Sequence, residues 1–356
     1  MASNSRSNLA VSQFPQTVPQ SAAEEQPFPA RFFNSMTSFA LGAALKGAIE
    51  LDMFTVLSEG SHTAESLALR LQTSTRGARI LGDYLTVEGF LRREAGRYSA
   101  TPDTAMFLNR KSPAYIGGAA FFLGSQSLIE NFQDLAGCVR KGGTVNAEGT
   151  VAPEHPIWVD FAHGMAPMAA MDAELIARLL NADGMEECKV LDIAAGHGMY
   201  GIALARHNPK AEIVAVDWRN VLAVARENAS KAGISNRYST IEGSAMDVEF
   251  GDGYDIVMLT NFLHHFNSET NEGLLRKVYE CLRPGGRAVA LEFVPNNDRL
   301  TPPMAAEFSL FMLASTPGGD AYTFPELGRM FERAGFTSAE LHDIAPSPER
   351  VVIGRK

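Results

Sequence analysis

Cysteine is scarce in this 356-residue chain: Cys138, Cys188 and Cys281 stand far apart, with no CxxC pair. That excludes a zinc-ribbon site and a disulfide framework, predicts no metal, and points to a reducing compartment. Long apolar runs are missing as well. Phe39–Ile49 and Tyr115–Gly124 fall short of the ~18–20 residues of a membrane span, and Lys46 interrupts the first. The N-terminus has no basic segment followed by an apolar one, so no secretory leader is expected and the expected location is cytoplasmic. Positive charge is in deficit, with 31 Lys and Arg against 41 Asp and Glu for a net charge of −10. Such a field attracts neither nucleic acid nor an anionic membrane. What is present is an ordinary globular balance, 46% hydrophobic and 20% charged, with material for about two domains.

Residues 1–28 are rich in Ser, Gln, Ala and Pro, carry too little apolar surface to offset ordering entropy, and are expected to form a disordered tail. A first domain is expected over 29–150. In it Phe32, Phe33, Met36, Phe39, Ala40 and Ala43 recur at helical spacing, with Leu41, Leu45 and Ile49 in a second row. A helix this apolar predicts a subunit interface, hence a homodimer through the N-terminal domain. Residues 62–110 read as a winged helix. Caps at Thr63 and Ser74 start two helices, a hairpin spans Arg92 to Ser99, and Thr101-Pro102 restarts a helix. The region carries three more basic than acidic residues between Ser61 and Tyr115, but Asp83 and Glu88 share the second helix with Arg76 and Arg79. That is a poor phosphate-facing surface, and a dimerising role is expected instead. The Gly-rich stretch from Gly142 to Gly149 reads as a hinge or mobile loop, and a helix is expected over Ile157–Leu180.

Over 151–356 strands and helices alternate. Strands are expected at Lys189–Ile193, Glu212–Val216, Tyr238–Glu242, Asp255–Thr260, Arg287–Phe293 and Arg350–Ile353. Helices are expected at Met199–His207, Val221–Ala232, Glu272–Leu282 and Phe324–Ala334. The rhythm predicts an α/β domain with a doubly wound, mostly parallel sheet. Its first strand runs into Asp192-Ile193-Ala194-Ala195-Gly196-His197-Gly198, a turn that lets a ligand approach the backbone, and the next ends at Asp217, placed to accept both hydroxyls of a ribose. Gly196 to Gly201 also satisfies G-x-G-x-x-G, which raises a nicotinamide-dependent oxidoreductase as a rival. A second rival is a non-catalytic winged-helix regulator with a cofactor-sensing domain. S-adenosylmethionine is favoured by Asp192 just before the turn, by the polar turn Gly243-Ser244-Ala245-Met246 after the third strand, and by closure on a late strand.

With Leu263-His264-His265-Phe266, Leu282-Arg283-Pro284-Gly285-Gly286, Glu292 and Thr316-Pro317-Gly318-Gly319 added, residues 30–356 resemble the dimeric small-molecule O-methyltransferases typified by plant caffeate O-methyltransferase. The resemblance implies a seven-stranded Rossmann-like methyltransferase sheet behind the winged helix. It implies S-adenosylmethionine held by Asp192, Gly196, Gly198, Asp217, Trp218, Gly243, Ser244, Ala245 and Thr260, with His264 as general base oriented by Glu292 and the adjacent His265 as the alternative base. The chain departs from the family at several points. Two turn glycines are Ala194 and Ala195, the adenine-holding pair is Ser244 and Ala245, and a cofactor-reaching lysine is Thr260. The aspartate after the histidine is His265, and the second catalytic glutamate is Ala321, beside Asp320 and Tyr322. Phe161, Met165 and Met168 on one helix, with Phe308, Phe311 and Met312 on another, offer an apolar wall, of which Phe161, Met165, Phe311 and Met312 are the expected substrate contacts. The expected acceptor is a phenol, enol or thiol on a small, largely apolar molecule.

Overall fold

The computed structural model describes residues 29–146, 149–184 and 186–356; the tail expected at 1–28 lies outside them. The chain divides into two units, residues 1–40 and 41–356. In the first, α1 (Ala30–Thr37) has no buried residue, and the start of α2 (Phe39–Glu50) belongs to it. One helix was expected here, but it breaks at Ser38. Thr37 and Ser38 turn their hydroxyls back onto the carbonyls of Phe33 and Ser35, at 2.9 and 2.8 Å. Such local bonds compete with the helical ladder. Phe32, Phe33, Met36 and Phe39 form an apolar row, all more than half exposed.

In the second unit, α3 (Met53–Glu59), α4 (Ala64–Leu71), α5 (Thr75–Val87) and a hairpin of β1 (Leu91–Glu94) and β2 (Arg97–Ala100) precede α6 (Pro102–Phe107). This is the expected winged-helix order. Thr63, Ser74 and Thr101 cap α4, α5 and α6 through their hydroxyls. Met53, Phe54, Leu67, Leu85 and Tyr98 fill the core. Asp83 takes the Tyr98 hydroxyl at 2.6 Å and pairs with Arg79 and Arg93 at 3.0 and 2.9 Å, so these cations serve the fold.

Three short helices follow, α7 (Ala119–Leu123), α8 (Gln126–Asn131) and α9 (Leu135–Lys141), then the long α10 (Ile157–Leu179). The Gly-rich stretch after α9, expected as a hinge or mobile loop, is tied at both flanks. The Thr144 amide donates to the Thr316 carbonyl at 2.8 Å, and the Thr150 hydroxyl to the Ser315 carbonyl at 3.2 Å.

The sheet domain runs β3 (Cys188–Ile193), α11 (Met199–His207), β4 (Ala211–Asp217), α12 (Arg219–Lys231), β5 (Tyr238–Glu242), β6 (Tyr254–Thr260), α13 (Ser268–Cys281), β7 (Leu282–Glu292), α14 (Pro303–Ser315), α15 (Phe324–Ala334), β8 (Ser338–Asp343) and β9 (Arg350–Arg355). Seven strands lie in the order β5-β4-β3-β6-β7-β9-β8. All neighbours are parallel except at β9, which is antiparallel to β7 and β8. Every residue of β6 is buried, as a parallel strand covered on both faces requires. Val190, Ile202, Ile213 and Val289 pack on one face, and Leu191, Val257, Leu275 and Phe331 on the other. The strand expected from Arg287 starts at Leu282, because a register irregularity opposite Tyr254 and Ile256 absorbs the Arg283–Gly286 turn. β8 was not foreseen, since its half-exposed sequence SAELHD at the sheet edge carries no apolar run. No described helix is long and apolar enough to cross a membrane.

Candidate active site

The carboxyl ends of β3, β4, β6 and β7 carry the chemistry-bearing residues. After β3 the chain turns through three left-handed residues, Ala194 (φ 52°), Gly196 (φ 56°) and Gly198 (φ 74°). Glycine adopts this region freely, and alanine at a cost of roughly 1–2 kcal/mol. The alanine thus holds a strained backbone conformation at the carboxyl edge of the sheet. Asp217 closes the loop, accepting the amide of Gly196 at 2.8 Å on one oxygen and that of Trp218 at 2.7 Å on the other. Each oxygen keeps a lone pair, and burial pushes this carboxyl up to about 6. Trp218 is half-buried against Ala162, Val221 and Val224.

Asp192 is fully buried, and one of its oxygens accepts the Gly201 amide at 3.2 Å. Its other oxygen has no partner. Burial pushes it up to about 7. An enclosed carboxylate oxygen beside a left-handed, glycine-bearing turn fits a cofactor with a cationic head. The Gly243 amide donates to the Asp217 carbonyl at 3.0 Å, joining the turn after β5 to the end of β4. Ser244 accepts the Met246 amide on its hydroxyl at 3.2 Å, which leaves its O–H to donate. Lys277, from α13, donates to the carbonyls of Ala245 at 3.1 Å, Met246 at 3.3 Å and Val248. This lysine was not singled out from the sequence, because nothing in a helix marks an ammonium that reaches a distant turn. Thr260 is buried at the end of β6.

His264 and Glu292 come together. The His264 Nδ1 lies 2.5 Å from a Glu292 carboxylate oxygen, and both residues are nearly fully buried. The other Glu292 oxygen accepts the amides of Phe262 and Leu263 at 3.1 and 2.8 Å. With Nδ1 engaged, Nε2 has no protein partner among the described residues. Burial pushes His264 down and Glu292 up. The Nδ1–H and two backbone amides compensate the carboxylate against its loss of water.

The turn that presents His264 is held from behind. Asn271, fully buried on α13, donates to the carbonyls of Leu263 and Phe266 at 2.8 and 3.2 Å. The Tyr322 hydroxyl donates to the Phe266 carbonyl at 2.6 Å. Asn261 starts the turn at φ 53°, its amide bonded to the Leu291 carbonyl. The sequence missed Asn271; a polar residue in the apolar row of α13, beside Leu274 and Leu275, was the available signal. Ala321 is buried where the family has its second glutamate, and neighbouring Asp320 turns instead to Arg299 at 3.2 Å.

The expected substrate contacts separate into two places. Phe161 and Met165 lie one turn apart on α10, with Phe161 over the cofactor turn: a Cβ built on Gly196 would meet its ring at 3.5 Å. Phe311 and Met312 lie on α14, where Phe311 is partly exposed and Met312 is buried. The phenylalanine ring that meets the histidine is Phe308, 4.8 Å from His264 and stacked on Phe293 at 4.2 Å. Phe132 extends this array, meeting Phe311 at 5.1 Å. Trp158, also missed, links Phe161 to the histidine pair, 5.7 Å from Phe161 and 5.2 Å from His265.

A family model described as "Methyltransferase domain" matches residues 190–286, and one described as "O-methyltransferase dimerisation domain" matches residues 33–110. A solved structure of a candidate O-methyltransferase from Nostoc punctiforme is 50% identical, with a TM-score of 0.90 over 93% of this chain and 100% of that one. The S-adenosyl-L-methionine-dependent methyl transferase PigF of Serratia sp. is 25% identical over 91% of this chain and 94% of its own. Its structure with SAH has a TM-score of 0.81, covering 93% of this chain and 100% of that one. The 3-hydroxy-5-methyl-1-naphthoate 3-O-methyltransferase of Streptomyces sahachiroi is 27% identical over 88% of this chain and 91% of its own.

Proposed function

The chain belongs to the S-adenosylmethionine-dependent O-methyltransferases, and from that premise we propose that it methylates a phenolic or enolic hydroxyl of a small, largely apolar molecule, with His264 as base. The observation that carries this reading is the His264 Nδ1 to Glu292 contact of 2.5 Å, which leaves Nε2 free to accept a proton. Asp192, Gly196, Gly198, Asp217, Trp218, Gly243, Ser244, Ala245 and Thr260 are the residues proposed to hold the cofactor. S-adenosylmethionine supplies, when bound, an already activated methyl group. The protein's own tasks are therefore alignment and proton removal, and alignment alone is worth several kcal/mol of barrier. The aromatic faces of Phe308, Phe293 and Phe161 suit a flat acceptor, a reading the naphthoate named for the Streptomyces relative supports.

Proton removal depends on the state of Glu292. Burial pushes its carboxyl up to about 8. When it is protonated, its O–H faces Nδ1, the imidazole proton sits on Nε2, and His264 cannot act as base. When it ionises, Nδ1 carries the proton and Nε2 the lone pair. The rate with a phenol is thus expected to rise with pH through the raised Glu292 pKa rather than level off near 6.5. Glu292→Gln should abolish that limb while SAH affinity is kept. A wild-type profile flat between pH 6 and 9 contradicts the assignment.

The exposed row Phe32, Phe33, Met36 and Phe39, the last three within the residues matched by the dimerisation domain, supports a two-fold homodimer. Light scattering at micromolar concentration should give twice the chain mass, and Phe32→Ser with Phe39→Ser should shift it toward the monomer. A wild-type monomer contradicts this reading.

A further inference from the structure

His264 sits on a turn that holds itself weakly. Leu263–His265 form a single 3₁₀ turn, closed by the His265 amide on the Phe262 carbonyl at 3.2 Å and the Phe266 amide on the Leu263 carbonyl at 3.3 Å. Bonds of this kind have poorer geometry than those of an α-helix. The chain enters the turn through Asn261 in the left-handed region, at φ 53°, which adds strain. Among the described residues, Glu292 is the only side chain hydrogen-bonded to the His264 ring. The imidazole therefore keeps its place only if the backbone beneath it does.

Two donors from outside the turn supply that hold. Asn271, fully buried in α13, lies in the buried row of Leu274, Leu275 and Val278. Its amide nitrogen reaches back to the carbonyls of Leu263 at 2.8 Å and Phe266 at 3.2 Å, the two residues that flank the histidine pair. Its Oδ1 is enclosed and has no partner. An unmatched buried acceptor costs stability that an apolar side chain in this row would not, so what Asn271 contributes lies in its nitrogen. The Tyr322 hydroxyl donates to the same Phe266 carbonyl at 2.6 Å. Burial pushes that phenol up to about 12, which keeps it a donor at neutral pH. Gly319 closes another side, where a Cβ would collide with the His264 carbonyl.

We infer that Asn271 and Tyr322 are positioning residues for the proton transfer. By clamping the carbonyls at both ends of the turn, they hold Nδ1 of His264 on Glu292 and so keep the lone pair on Nε2. This rests on the reading of His264 as the base.

The test observes the His264 Nδ1 proton itself, by NMR of the full-length protein labelled with nitrogen-15 histidine. Above the raised Glu292 pKa this proton should appear far downfield, coupled to nitrogen, and be absent from His264→Ala. The variants are Tyr322→Phe, which removes one hydroxyl, and Asn271→Leu, which is close in volume. Exchange of the proton with water should be about ten-fold faster in Tyr322→Phe, the worth of one hydrogen bond, and faster still in Asn271→Leu, which loses two. With any phenol that the wild type accepts, kcat should fall in the same order while KM and SAH affinity stay near wild type. A purely structural role would weaken SAH binding as well and leave the exchange rate of the folded fraction unchanged. Where Asn271→Leu does not fold, Tyr322→Phe decides alone. A proton exchanging at the wild-type rate in folded Tyr322→Phe overturns the inference and leaves the proposed methylation standing. No such proton in the wild type overturns the His264–Glu292 pairing on which both readings stand.

Discussion

His264→Ala is expected to lower kcat by about 10²–10⁴, the range for a positioned general base, with SAH affinity near the wild-type value. The split follows from where the contacts lie. His264 touches Glu292, His265 and Phe308, none of which is bonded to the Gly196 turn, Asp217 or the Gly243 turn. Glu292 keeps the Phe262 and Leu263 amides in the variant, so the local backbone has a reason to stay in place. The size of the loss reflects the acceptor. Moving a proton from a phenol of pKa ~10 to a histidine of ~6.5 is uphill by about 5 kcal/mol, and burial of His264 steepens the climb. In the proposed reaction Nε2 would therefore take the proton as the carbon–oxygen bond forms. Glu292→Gln should cost less, because it removes charge and orientation but leaves the base. Calorimetry and single-turnover kinetics on the same preparation separate the two quantities. Unchanged turnover in His264→Ala would remove it from the reaction, most simply because the acceptor ionises unaided, as a thiol does.

Asp217→Ala is expected to weaken SAH binding by about 1.5–3 kcal/mol, roughly ten- to a hundred-fold, the scale of hydrogen bonds to a charged group. The upper end is favoured because the same carboxylate also anchors the Gly196 and Trp218 amides, which the variant releases together. A second signature comes from its raised pKa. Below about 6 the carboxyl takes up a proton and loses acceptor capacity, so wild-type affinity should fall as pH drops through that value, and Asp217→Ala should lose this step while keeping the one that Asp192 contributes near 7. Isothermal titration between pH 5 and 8 gives both results. Unchanged affinity in a folded variant would place the ribose elsewhere.

The readable part of this molecule was the part where one residue type has one job. Strand ends at Ile193, Asp217 and Glu242, and helix starts at Met199 and Phe324, fall within a residue or two of their expected places because buried parallel strands are nearly all apolar and caps are local. β8 escaped because an edge strand need not be apolar, and the break at Ser38 because serine is tolerated inside helices until its hydroxyl finds a carbonyl. Within the site, His264, Glu292 and Asp217 could be named from motif order and family likeness. Asn271, Tyr322, Lys277 and Trp158 act on backbone carbonyls or rings far along the chain, and such partners have no sequence spacing. The protonation pattern was also illegible. Glu292 and Asp192 are raised and His264 lowered chiefly by desolvation, which is a property of packing.

The central claim is that methyl transfer goes to oxygen and that His264 takes the proton. It is tested most directly by giving wild type and His264→Ala methyl-labelled S-adenosylmethionine with a mixture of phenols, thiols and amines, and locating the label in the products by NMR. The expected result is label on a phenolic oxygen with the wild type and a loss of at least a hundred-fold with the variant. Label on nitrogen, sulfur or carbon, or equal labelling of oxygen by both proteins, would contradict it.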